Sequence, residues 1–383
     1  MAAGSDPRPE DESSARLFTE IPVLDVAGLY GDDAERRAVA AELGRAAREV
    51  GFFYVTGSGI PEEDFAAVLQ LTKEFFALPL EEKLAIYIGD SSNHRGYVPT
   101  GEEGDYGGTT DSPEGESKPP DLKEAFDLSL DLPADDADYL AGNPMLGPNR
   151  WPARPQMADP VNRYYNALIA FGKVLLQGFA MALDEPADRF DALVTRAPSQ
   201  LRLMHYPYDP DAADRPGIGA HTDFEVFTLL RSTEPGLEVC NDAGEWIDAP
   251  PRPGAFIVNI GDMLEIWSNG AFVSTSHRVR KVTAERYSFP LFFNVDYDVL
   301  VEPLPKFIRA DGTDKRPLKA GEHLYAQTIH AFGYLRRRLA AGEIAMPEGS
   351  LDRNSFGREA MLKRERAGES DPTLVASGAA TSE

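Results

Sequence analysis

GAHTDFEVFTLL, residues 219–230, sets His221 and Asp223 one residue apart at the head of an apolar run. Side chains alternate across an extended strand, so an imidazole and a carboxylate at this spacing are aimed from one face. Alone, such a pair is more often a hydrogen-bonded surface pair than a metal site. What changes its meaning is His277 in STSHRVRKV (274–282), an alternating run able to return across a barrel and complete a set of two histidines and one carboxylate. Three protein ligands cover one face of an octahedral metal and leave up to three positions open, as an oxygen-activating iron requires. A closed structural zinc site would leave none.

The runs around this stretch are short and β-rich: LRLMHYP (201–207), GLEVC (236–240), EWIDA (245–249), AFIVNI (255–260) and YSFPLFF (287–293), punctuated by Gly, Pro, Asn and Asp. They predict a mainly β fold with flanking helices, an antiparallel barrel or jelly roll. Upstream, IPVLDV (21–26) and GFFYVTGSGI (51–60) read as strands. A helix between them carries Val39, Leu43, Ala47 and Val50 and is stopped by Gly51; Pro61 opens a second with Phe65, Leu69, Thr72 and Phe76. A third, from about 160 to 183, aligns Tyr164, Leu168, Phe171, Leu175 and Phe179 against the core, and residues 322–344 form one amphipathic helix. The Gly-, Pro- and acid-rich segment 101–120 is a long loop and a candidate lid. The expected organisation is a flexible tail (1–18), a helix-rich N-terminal region (19–155), a core-packing helix (156–196), the β core (197–300), a C-terminal helical region (301–363) and a second tail (364–383).

Of 383 residues 42% are apolar and 10% aromatic, enough to bury a large interior. The 63 acidic against 38 basic residues give a net charge of -25, which disfavours nucleic acid and anionic membrane as partners and otherwise reads as a solvated surface. A single cysteine, Cys240, excludes an intrachain disulfide and a thiolate cluster and fits a reducing cytoplasm; it reads as a small buried hydrophobe. The polar, acidic first 18 residues and the lack of eighteen uninterrupted apolar residues predict neither export nor a membrane anchor. Oligomeric state is not encoded legibly.

In ERYSFPLFF (285–293), Arg286 and Ser288 fall on one side of a strand. An Arg fork beside a hydroxyl suits the far carboxylate of a dicarboxylate whose other end chelates a metal; a buried ion pair would use Arg286 equally well. The order HTD, SHRV and RYS, with GFFYVTGSGI upstream, resembles the isopenicillin N synthase-like branch of the iron(II)- and 2-oxoglutarate-dependent dioxygenases. FFALPLEEKL (75–84), HRGY (94–97), KEAFDL (123–128) and NRWP (149–152) resemble that family's N-terminal region, so the match spans most of the chain. The resemblance implies a double-stranded β-helix (jelly-roll) core and iron(II) held by His221, Asp223 and His277. It also implies 2-oxoglutarate as cosubstrate, its distal carboxylate anchored by Arg286 and Ser288 with Tyr206 nearby, and O2 as oxidant. Oxidative decarboxylation to succinate and CO2 would then drive hydroxylation, desaturation or ring closure of a small molecule, with no catalytic residue beyond the metal site. The chain departs from the family pattern at Met204, where many relatives have an Asn, and at Ser58 and Gly59, where Asn-His is usual.

Three alternatives stay open. One is an iron oxidase independent of 2-oxoglutarate, using Arg286 and Ser288 to hold its substrate's own carboxylate. The others are a non-catalytic jelly-roll binding protein and a zinc hydrolase with Glu225 as general base, although Glu225 fits a strand edge or a role supporting the ligands equally well. His205 should point away from the face Tyr206 uses, His94 could touch substrate, and His323 and His330 read as surface residues of the last helix. Secondary-metabolite biosynthesis, amino-acid hydroxylation and catabolism are all compatible with the sequence.

Overall fold

The computed structural model describes residues 16–104, 121–210 and 217–348. Most of the 101–120 loop, and with it the candidate lid, lies outside them, as do most of the first expected tail and all of the second. Arg16, counted with the first tail, is tied down, donating to the Asp242 carboxylate at 2.7 Å.

Strands β1 (Val23–Asp25), β2 (Phe52–Thr56), β3 (Gly96–Val98) and β4 (Glu124–Leu128) precede β5 (Gln200–Tyr206), β6 (Ile218–His221), β7 (Phe227–Ser232) and β8 (Leu237–Cys240). β9 (Trp246–Asp248), β10 (Phe256–Ile260), β11 (His277–Val279) and β12 (Arg286–Phe293) follow. The major sheet runs β1-β2-β10-β7-β12-β5-β4-β3 and the minor sheet β6-β11-β8-β9. The pairs are antiparallel except β1 with β2. The two sheets make the jelly roll that the β-rich texture predicts. The major sheet also takes four strands from residues 23–128, so the region read as helical support builds half of that sheet.

Helix α1 (Asp33–Glu49) begins at a capping box in which Asp32 and Glu35 satisfy each other's backbone N–H groups. It ends before Gly51, whose φ of +72° and approach to the Val273 carbonyl leave no room for a Cβ. α2 (Glu62–Phe76), α3 (Leu80–Leu84) and α4 (Ala137–Leu140) lead to α5 (Ala158–Ala182), which packs Leu168, Phe171, Leu175 and Phe179 into the core with Phe53, Phe227 and Phe293. By length and composition α5 could cross a membrane, but 56% of its most apolar window is buried within the fold. α6 (Asp262–Trp267) follows β10, and a small β13–β14 ladder (Leu300–Val301 with Leu318–Lys319) precedes α7 (Ala320–Ala331) and α8 (Gly333–Ala340).

Four expectations need correction. Residues 322–344 are two helices, because Phe332 adopts extended angles (φ -108°, ψ 127°) between α7 and α8. The run 274–282 is strand only at His277–Val279, with a register shift inside it. His323 is buried, 1% exposed, and its ring meets Phe224 edge-on, so it is not a surface residue of the last helix. Cys240 is half-buried rather than buried.

Phe179 is fully enclosed by Phe53, Phe227 and Phe272. Phe179→Ala is expected to lower the unfolding free energy by roughly 3–5 kcal/mol, the usual cost of an aromatic cavity. Urea denaturation would measure this, and a loss below about 1 kcal/mol would show that α5 does not anchor the sheet through this ring.

Candidate active site

Alternation along the strands decides what faces the space between the sheets. From β5 come Gln200, Arg202, Met204 and Tyr206; from β12, Arg286, Ser288, Pro290 and Phe292. Their neighbours Leu201, Leu203, Phe289 and Leu291 point the other way, into the core under α5. The two strands pair with Arg286 opposite Tyr206 and Ser288 opposite Met204. Together with β6, β7, β10 and β11 they line a single cavity.

At one end His221, Asp223 and His277 bring one ligand atom each to within 4.8 Å of one another. His221 closes β6 and lies opposite His277 in the ladder. Asp223 is not on the strand: β6 ends at His221, and the carboxylate reaches the cluster from the connection to β7. The convergence expected from strand alternation is thus achieved by a turn held through the Asp262 N–H to Asp223 carbonyl bond of 2.8 Å. Each imidazole is oriented from behind, with His221 Nδ1–H donating to the Gly219 carbonyl (2.8 Å) and His277 Nδ1–H to that of Thr275 (3.2 Å). Both Nε2 atoms therefore face Asp223 Oδ1, 3.6 and 3.5 Å away. Asp223 Oδ2 is occupied by Thr228 Oγ1–H and by Asn259 Nδ2–H at 2.7 Å. Sequence reasoning missed these last two residues, although both alternate inward on β7 and β10.

Burial, reinforced by the neighbouring His277, brings the His221 pKa down to about 3, so its ring is a neutral, ligand-competent base. Burial acts to raise the Asp223 pKa, but the two imidazoles and the hydroxyl of Thr228 hold it well below the carboxylate range. Two imidazole nitrogens and one carboxylate converging from one side fit a divalent metal with open positions.

Farther along, Arg286 is 1% exposed. Its Nε–H donates to the Glu234 carbonyl at 3.1 Å, its guanidinium lies 4.7 Å over the Tyr206 ring, and Nη1 has no partner among the described residues. A buried guanidinium with an unused N–H edge is a receptor for an anion. Ser288 shares its face. Tyr206 turns its hydroxyl toward Met204 Sδ at 3.6 Å, so Met204 occupies that contact with a weak acceptor.

The rest of the lining draws on remote segments. Arg202 grips Asp127 through two nitrogens at 2.7 Å and Glu103 at 2.9 Å. Phe332, at the break between α7 and α8, contributes its ring, and His94 stands edge-on to it with Nδ1 2.7 Å from the Tyr334 hydroxyl. Glu225 lines the cavity, 2% exposed, rather than lying on a solvated strand edge. His330 is half-buried and does not line it.

His205 points away from Tyr206, as alternation requires, and both its ring nitrogens donate: Nδ1–H to Glu124 (2.8 Å) and Nε2–H to Glu285 (2.5 Å). Burial acts against the charge, yet the two carboxylates raise the pKa above its ordinary 6.5. The stability contributed by the protonated ring is fully present below about 6.5 and is lost as pH rises through the higher folded value. Glu285→Gln should therefore lower Tm more at pH 6 than at pH 9; an equal loss at both would exclude this linkage.

Comparison with known proteins identifies the family. Residues 21–154 match the model for the non-haem dioxygenase N-terminal region named for morphine synthesis, and residues 197–295 match the 2OG-Fe(II) oxygenase superfamily. Homoarginine-6-hydroxylase 2-ODD-233 of Oryza sativa subsp. japonica is 36% identical over 82% of this chain and 98% of its own length. A 2-oxoglutarate-Fe(II) type oxidoreductase of Emericella nidulans is also 36% identical, over 78% of this chain and 86% of its own length. Among solved structures, a full-length Neurospora crassa protein crystallised in complex with alpha-KG superposes with a TM-score of 0.69 at 26% identity, covering 85% of this chain and 98% of that one. The chain belongs to the 2OG-Fe(II) oxygenase superfamily and is a 2-oxoglutarate-dependent dioxygenase that acts with iron on a small substrate.

Proposed function

We propose that His221, Asp223 and His277 bind the iron(II) and that Arg286 and Ser288, beside Tyr206, bind the distal carboxylate of 2-oxoglutarate. The observation that carries this reading is the presence, in one cavity, of two incomplete receptors: a His2Asp cluster with converging ligand atoms and a buried guanidinium whose Nη1 has no partner among the described residues. When bound, iron and 2-oxoglutarate supply the oxidising chemistry, one atom of O2 entering succinate as CO2 leaves and the other entering the product. The chain's own residues position and exclude. Thr228 and Asn259 fix which Asp223 oxygen faces the metal, and the carbonyls of Gly219 and Thr275 fix the imidazole tautomers. Arg286 sets the angle of the cosubstrate. Ile218, Leu230, Leu237 and Val279 keep water from the space between.

Residues 19–155 serve in this reading as the supporting N-terminal region and 197–300 as the oxygenase core. The enzyme works in a reducing cytoplasm, which the single cysteine supports, on a small molecule rather than nucleic acid, which the net charge of -25 supports. Of secondary metabolism, catabolism and amino-acid hydroxylation, the last is favoured by the rice relative, named as a homoarginine hydroxylase.

Anaerobic titration of the iron(II)-loaded protein with 2-oxoglutarate should produce the weak visible charge-transfer band of the chelate. Arg286→Ala should require roughly ten- to a hundredfold more cosubstrate, the scale of a lost charge-assisted contact. No band in the wild type despite stoichiometric iron would favour the 2-oxoglutarate-independent oxidase. Asn259→Leu should weaken iron(II) binding by about 10–100-fold, as loss of a group that orients a ligand typically does. Competition with a chromogenic chelator reads this directly, and an unchanged affinity would remove Asn259 from the metal site.

A further inference from the structure

The cavity holds another incomplete pair of groups. Glu225 Oε2 is buried and has no hydrogen-bond partner among the described residues, and the same is true of Gln200 Nε2. Both side chains line the cavity that contains the His2Asp cluster, Gln200 lying opposite Phe292 in the β5–β12 ladder. Of the two arginines that line the cavity, Arg202 is already engaged, as is Lys123 behind it. Arg202 is bound to Asp127 and Glu103, and Lys123 lies 3.2 Å from Glu103 and 3.3 Å from Asp121. A substrate carboxylate arriving at this wall would find no free positive charge and would face Glu225. A group rich in N–H donors would find an acceptor waiting. A buried carboxyl left without a partner is unfavourable, and it persists where a ligand completes it.

We infer that Glu225 is the substrate-recognition residue of this oxygenase, receiving an ammonium or guanidinium group, while Gln200 donates to an oxygen of the same molecule. The inference rests on the iron and 2-oxoglutarate roles proposed above and adds the substrate's chemical class to them. Because Glu225 is two residues from Asp223 and opens into the same cavity, a cation seated on it is held beside the metal. The carbon oxidised is then chosen by its distance from the charged group. Glu225 binds and orients; it does not take part in the bond changes. Phe292 and Phe332 bound the remaining space, so the chain between the charged group and the reacting carbon is expected to be short and apolar.

The test uses the full chain loaded anaerobically with iron(II) and 2-oxoglutarate. L-homoarginine, L-arginine and L-lysine are titrated against the neutral isostere L-citrulline and the dianion glutarate, reading displacement of the charge-transfer band and, after admission of air, succinate formed. At least one cation should shift the band and raise succinate, with L-citrulline about tenfold weaker or worse. Glu225→Gln should weaken that cation by roughly ten- to a hundredfold while leaving the 2-oxoglutarate titration within about twofold of wild type. Absence of a shift with all three cations at millimolar concentration overturns the inference. So does equal binding of L-citrulline or glutarate, or unchanged cation binding by Glu225→Gln. If Glu225→Gln loses the band itself, Gln200→Leu decides: weaker cation binding with the band intact supports the subsite, and unchanged binding overturns it. Failure of the underlying reading looks different, since the wild type would then show no band before any amine is added.

Discussion

Asp223 sits between two imidazoles in a space from which water is largely shut out, and this buried charge sets what the surrounding strands must do. Its Oδ2 is held by Thr228 of β7 and Asn259 of β10, both in the major sheet, while His221 and His277 come from β6 and β11 of the minor sheet. The cluster therefore exists only if the two sheets meet at one separation. An ionised carboxylate buried without such partners would cost several kcal/mol. With them the cost is offset, and Oδ1 is left as the oxygen both imidazoles face.

The same strands serve two environments. The outward residues of β5 and β12 fill the core under α5, and the inward ones carry Tyr206, Arg286 and Ser288. A slip of one residue in this pairing would exchange the faces, burying Arg286 among phenylalanines. Register is thus fixed by chemistry as firmly as by packing. Pro290 contributes locally: it lies in the middle of β12, pairs with Leu230 of β7, and cannot donate toward β5, where neither Phe289 nor Pro290 has a ladder partner among the described residues. The interruption falls beside Arg202, whose side chain leaves the strand to meet Asp127 and Glu103.

Much of this was legible in the sequence because period-two alternation survives folding. It placed Arg286 with Ser288 and turned His205 away from Tyr206, and helical spacing located the buried stripe of α5. Asp223 shows where alternation stops working: its position depends on a turn after β6, and the HTD spacing alone does not distinguish a strand from a strand end. Phe332 was hidden because the lone Gly333 of AFGY is only a weak break signal in an otherwise helical pattern; the extended angles there are imposed by pairing with the 102–104 segment, with Gly333 N–H donating to the Glu102 carbonyl at 2.8 Å. Thr228 and Asn259 carried no motif. They could have been found only by asking which inward residues of β7 and β10 lie near Asp223.

That long-range pairing also changes how the N-terminal part of the chain should be understood. Glu103, Lys123 and Asp127 surround Arg202, and the backbone around Glu103 bridges to Phe332 beyond α7. Three distant stretches thereby meet on one wall of the cavity. Ion pairs so deeply buried return little net stability relative to apolar packing, because desolvation consumes most of the attraction. They are nevertheless intolerant of misplacement, since separating one partner leaves an unpaired charge in the interior. The wall is thus fixed in position rather than greatly strengthened. For an oxygenase whose outcome depends on which carbon is presented for oxidation, positional accuracy of the cavity lining matters more than the stability of the wall.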